Sequence, residues 1–77
     1  MHEYLFETLK LADVDCIKYS LNQALYNWHV SPAGQFCSEN AIDLHYTSYD
    51  KDYLYFVEIT GKMTKDHYLF YKLIQNQ

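Results

Sequence analysis

The chain has 77 residues, with ten Asp and Glu against six Lys and no Arg, a formal net charge of −4 and an aromatic content of 18% that includes nine tyrosines. That length points to a single domain over residues 1–77, and a domain of this size buries only about 60% of its unfolded surface, so a partner, a metal or a disulfide would help to stabilise it. Without arginine there is no planar fork for bidentate phosphate or guanine contacts, which disfavours direct nucleic-acid binding and leaves a basic partner as the better match to the charge.

An apolar content of 49% is too high for a disordered chain. The opening MHEYLFETLK carries Glu3 and Glu7 and lacks the apolar core of a signal peptide. No run approaches the roughly 20 apolar residues of a membrane span, so neither a membrane partner nor a membrane location is expected, and a cytoplasmic location is. Cys16 and Cys37 are too few for a disulfide framework, and in a reducing compartment they are free thiols.

In chain order, EYLFETLKL (3–11) reads as a strand, because Tyr4 and Phe6 alternate with Leu5, Leu9 and Leu11. The alternative is a helix through Leu5, Leu9 and Ala12. The following segment is the strongest helix signal. Asp13 is a capping residue, Asp15 sits near the positive end of the dipole, and Val14, Ile17, Leu21, Ala24, Leu25 and Trp28 recur at helical spacing. Ser31-Pro32-Ala33-Gly34 ends it near His29–Val30, and 31–40 reads as a loop.

The remainder reads as three strands, 41–48, 53–60 and 67–75, with turns at 49–52 and 61–66. For the last segment the alternative is a terminal helix capped by Thr64 and carrying Phe70, Leu73 and Ile74. The fold class is therefore α+β: a small antiparallel sheet of three to four strands packed on one amphipathic helix, in the order β-α-β-β-β, or α-α-β-β-β if 3–11 is helical.

DYLYFVEIT (52–60) is apolar on both faces, whereas a half-buried strand needs only one apolar face. A four-residue loop at 49–52 pairs Ser48 with Tyr53, Tyr46 with Tyr55, Leu44 with Val57 and Ile42 with Ile59, which gathers one continuous apolar face for the core. A second hairpin adds Tyr68, Phe70 and Ile74 to that face. The opposite face collects Leu54, Phe56, Leu69, Tyr71 and Leu73 with His45 and Thr47, and places Asp43 opposite Glu58. With no second long helix to cover it, such a patch marks an interaction surface, unless residues 3–11 fold back over it as a helix. Asp50 and Asp52 in the turn extend the acidic rim.

Chemistry finds little support. The histidines and cysteines match no standard zinc spacing, so no metal or other cofactor is expected. A cysteine nucleophile beside His29 or His45 lacks a motif, and Asp43, Glu58 and His45 would act as a ligand-binding or catalytic group only around a real concavity. The expected partner is a protein with a basic surface, such as a nucleic-acid-binding effector complex. Leu54, Phe56, Leu69 and Tyr71 would anchor that partner, and Asp43, Glu58, Asp50, Asp52 and His45 would surround them. A homodimer through the same patch is the alternative. Small size, acidity and an aromatic surface make the profile similar in type to immunity proteins, antitoxins and phage anti-defence proteins, anti-CRISPR proteins included. That likeness implies a non-catalytic inhibitor, and no motif carries it.

Overall fold

The computed structural model describes residues 1–11, 17–52 and 54–76. The elements run β1 (His2–Leu11), α1 (Ile17–Val30), α2 (Pro32–Asn40), β2 (Ile42–Lys51), β3 (Leu54–Met63) and α3 (Lys65–Gln75). The three strands form one antiparallel sheet in the order β1-β3-β2. The class is α+β, and residues 3–11 are a strand.

The α1 stripe behaves as its spacing requires. Trp28 is buried, Leu21, Ala24 and Leu25 are half-buried, and Asn22, Gln23 and Asn27 face solvent. The cap at Asp13 and the positions of Val14, Asp15 and Cys16 lie outside the described residues.

Residues 31–40, expected as a loop, form α2 instead. Ser31 closes α1 by donating from both its N–H and its Oγ to the Trp28 carbonyl, at 3.1 and 2.5 Å. The same Oγ accepts from Gly34 N at 3.1 Å, which makes Ser31 the N-cap of α2 with Pro32 in the first turn. Gly34 is needed for proximity: a Cβ there would lie 1.8 Å from the Trp28 carbonyl oxygen. The Ser-Pro-Ala-Gly stretch is thus a tight corner between two helices.

The segment 67–75 is the second correction. It is helix α3, capped by Thr64, whose side chain accepts from His67 N at 3.2 Å, with Asp66 in the first turn and Lys72 in the last. Tyr71 is fully buried and Tyr68, Ile74 and Gln75 are half-buried, while Leu69, Phe70 and Leu73 are exposed. Phe70, expected in the core, is 53% exposed and leans on Phe36 of α2, with ring centroids 5.1 Å apart. The expected turn at 61–66 does not form, because β3 continues through Gly61 to Met63.

The β2–β3 hairpin is tighter than expected. Lys51 pairs with Leu54, leaving two positions between the strands, and Asp52 has φ 53°, as such turns demand. Tyr46 therefore lies opposite Ile59, Ser48 opposite Val57 and Asp50 opposite Tyr55. Relative to the expected register the partners of Tyr46 and Ser48 move four positions along β3, whereas that of Ile42, beyond an irregularity in β2, moves three, from Ile59 to Lys62, so Ile42 changes face; Tyr53 itself lies outside the described residues. An even shift preserves the faces. Val57 and Ile59 remain on the core side, joined by Gly61 and Met63 of the extended strand, and all four are buried.

Two bulges shape the core. In β1 the register shifts between Leu5 and Glu7, making Phe6 the extra residue, and in β2 it shifts between Ile42 and His45, where Asp43 has φ 54°. Phe6 and Leu44 converge on Gly61 of the central strand, where an added Cβ would lie 3.0 Å from the Phe6 ring and 3.2 Å from Leu44. The Phe6 carbonyl accepts from the Tyr71 hydroxyl and from Gln75 Nε2, so α3 is tied to the bulge. Phe6, Trp28, Cys37, Ile59, Met63 and Tyr71 form the buried cluster, so each helix contributes a residue to the same side of the sheet. Tyr4 and Tyr68 stack beside it at 3.8 Å.

Candidate interaction surface

With the core on one side, the opposite side of the sheet carries no helix among the described residues. Its rows follow from the strand register. Lys10, Phe56 and Tyr49 lie side by side, then Thr8, Glu58 and Thr47, then Leu5, Thr60 and His45, and finally Glu3, Lys62 and Ile42. Leu54 and Lys51 end it at the hairpin. Phe56 and Tyr49 stack with centroids 5.2 Å apart and planes 19° apart, making an aromatic platform across two strands. Tyr49 is 39% exposed, Leu5 47% and Ile42 50%. Leu54 and Phe56, on the central strand, are half-buried.

The structure divides the surface expected from sequence. Leu54, Phe56, Glu58, His45 and Thr47 share this open face. Leu69 does not, since it projects from α3 beside exposed Phe70 and Leu73. Tyr71 is a core residue with no exposed surface, and its hydroxyl is spent on the Phe6 carbonyl. Three contributors were missed. From sequence, Leu5 belongs to a strand without assignment to this face, Ile42 to the core and Tyr49 to a turn. The period-2 alternation of β1 and β2 carries them once the strands extend to Leu11 and Lys51.

The expected Asp43–Glu58 pair is not formed. Glu58 sits between Thr8 and Thr47, whereas Asp43 occupies the β2 bulge and meets Lys62 at 3.7 Å. Both ends of that ion pair are solvent-exposed, so it contributes little stability. His45 Nδ1 lies 2.8 Å from the Asp43 carbonyl oxygen, which can only accept, so Nδ1 carries the proton and Nε2 is the free acceptor of the neutral ring. Asp50 and Asp52 are exposed at the hairpin end. The open face itself is balanced in charge, with Glu3, Asp43 and Glu58 against Lys10, Lys51 and Lys62.

On the core side, His29 joins β2 to the helices. Ser38 Oγ donates to the Gly34 carbonyl at 3.0 Å, so His29 Nδ1 donates to Ser38 across 3.4 Å and Nε2 accepts from the Tyr46 hydroxyl at 2.5 Å. Burial raises the Tyr46 pKa, which keeps that hydroxyl a donor. The chain of bonds is a structural tie. Cys37 is fully buried, and burial pushes its thiol up to about 12, so it offers no thiolate at neutral pH. Cys16 lies outside the described residues. Among the described residues no three His, Cys, Asp or Glu side chains converge as metal ligands would, and no helix is long and apolar enough to cross a membrane.

Comparison with protein-family models, curated proteins and solved structures finds no match to this chain.

Proposed function

We propose that the protein is a small non-catalytic interaction module that docks on a basic, nucleic-acid-handling protein through the open face of its sheet and blocks that protein's working surface. The observation that carries this reading is the uncovered sheet face, with the Tyr49–Phe56 stack near its hairpin end, Leu54 beside the stack, and exposed Leu5 and Ile42 further along the sheet. Aromatic anchors of this kind dominate binding energy when a partner desolvates them. Charge supports the choice of partner. The chain carries −4 overall, and exposed Asp52 lies in the turn next to the anchor row, with exposed Asp50 at the same end of the hairpin on the other face, so that end of the molecule attracts a cationic surface. In type of action this corresponds to immunity proteins and to phage anti-defence proteins such as the anti-CRISPR inhibitors.

The experiment is affinity capture from native lysate with the tagged protein, beside a Tyr49→Ala/Phe56→Ala variant. A basic partner that is released by added salt and lost in the variant supports the reading. A partner retained by the folded variant overturns it. The balanced charge of the open face favours a second reading, a homodimer through the same surface, since opposite charges there can pair between two copies. A concentration-dependent dimer by sedimentation, abolished by the same double variant, would select it.

A further inference from the structure

A cavity of about 280 Å³ lies on the helix side of the sheet, away from the open face. Its walls come from four places that meet only in the folded chain. Glu7 enters from the β1 bulge, Trp28 from the end of α1, Ser31 and Ala33 from the helix corner, and Ile74 and Gln75 from the end of α3. From the physical character of these walls we infer that the cavity binds a monoalkyl guanidinium or ammonium group.

Glu7 is the one charged residue of the wall, and among the described residues it forms no ion pair. One of its oxygens accepts from Thr8 N at 3.1 Å and the other is left for an occupant. Helices α1 and α3 both end at the cavity, and helix C-termini are the negative ends of their dipoles. The start of α2 opposes them in part through the Ala33 N–H, since Pro32 has no N–H and that of Gly34 is taken by Ser31 Oγ. Trp28 adds an aromatic wall that favours cations. The volume lies just below the roughly 300–1,000 Å³ range of small-molecule sites, which suits one basic side chain or a small amine better than a cofactor. The inference stands apart from the docking of the sheet face.

Trp28 is the only tryptophan in the chain, so its fluorescence reports occupancy directly. Four probes are titrated: butylguanidinium, its uncharged isostere butylurea, agmatine, and an arginine flanked by capped glycines. The expected result is a saturable Trp28 change with butylguanidinium at least about tenfold tighter than with butylurea, lost in Glu7→Gln and kept in Glu58→Gln on the open face. Tighter agmatine would identify a free amine as the natural occupant, and the tighter capped peptide would identify a protein side chain. Equal binding of butylurea, or no Trp28 response to any cation by wild type, would overturn the inference. Circular dichroism shows whether Glu7→Gln is folded, and the butylurea comparison on wild type decides the matter if it is not.

Discussion

Single positions in this chain are held by distance as much as by chemistry. Gly34 is the sharpest case, because no side chain can enter between α2 and the Trp28 carbonyl. Gly34→Ala is expected to destabilise by about 3 kcal/mol or more, beyond the helix-propensity gain of alanine, since the obstacle is backbone. Urea denaturation measures it, and an unchanged midpoint would refute the close crossing. Cys37 makes a pH-dependent statement. Its thiol titrates near 9.0 when unperturbed and at about 12 when buried in the fold. Below pH 9 both states hold the proton, and between about 9 and 12 only the native state does, so stability falls as pH rises through that window. The slope is about 1.4 kcal/mol per pH unit for each such group. Tyr71 has the same sign from pH 10 upward, because burial first, and then the nearby charges of Cys37, Glu7 and Tyr68, raise its pKa. Urea midpoints between pH 7 and 11 should begin to fall near 9 in wild type and about one unit later in Cys37→Ala. A flat profile to pH 11 would contradict the burial of both groups.

At the level of elements, α3 docks through a few contacts that a strand at 67–75 would not make. Thr64→Ala removes the cap and should cost about 1 kcal/mol. Tyr71→Phe removes the hydroxyl from the Phe6 carbonyl and should cost about 1–2 kcal/mol, whereas exposed Leu69→Ala should stay within about 0.5 kcal/mol. If Leu69→Ala proved the more damaging, the helix would be in the wrong register or the segment would be a strand. The sequence HYLFYKLIQ is apolar around most of a helix, so periodicity alone does not choose between the two structures; the Thr64 cap, which supports only the alternative helix, is the local signal that points to the observed one. The reading of 31–40 failed for a different reason. Ser-Pro and Gly mark irregular chain in many sequences, but Ser-Pro also begins helices and a glycine also permits close approach. The α1 stripe and β1 were legible because their apolar periods match one structure better than the other.

For the whole molecule, one sheet carries three helices on a single side, and this asymmetry is what the double-faced DYLYFVEIT stretch encodes. The parity of β3 was readable because an error of four positions in register does not exchange faces. Leu54 and Phe56 were placed on the outer face for that reason, whereas Leu69 and Tyr71 were misplaced by the assumption of a third hairpin strand. The hairpin register itself was obscured by Tyr49-Asp50-Lys51-Asp52, whose polar residues suggest a four-residue turn although two of them continue the ladder. The central claim is that Tyr49, Phe56 and Leu5 meet the partner and the α3 surface does not. Hydroxyl-radical footprinting of the free protein and of its captured complex tests this most directly. The expected result is protection of Tyr49, Phe56 and Leu5 on binding, with Leu69, Phe70 and Leu73 remaining as reactive as in the free protein. Protection of the three α3 residues with Tyr49 and Phe56 unchanged would place the interface on the helix side and contradict it.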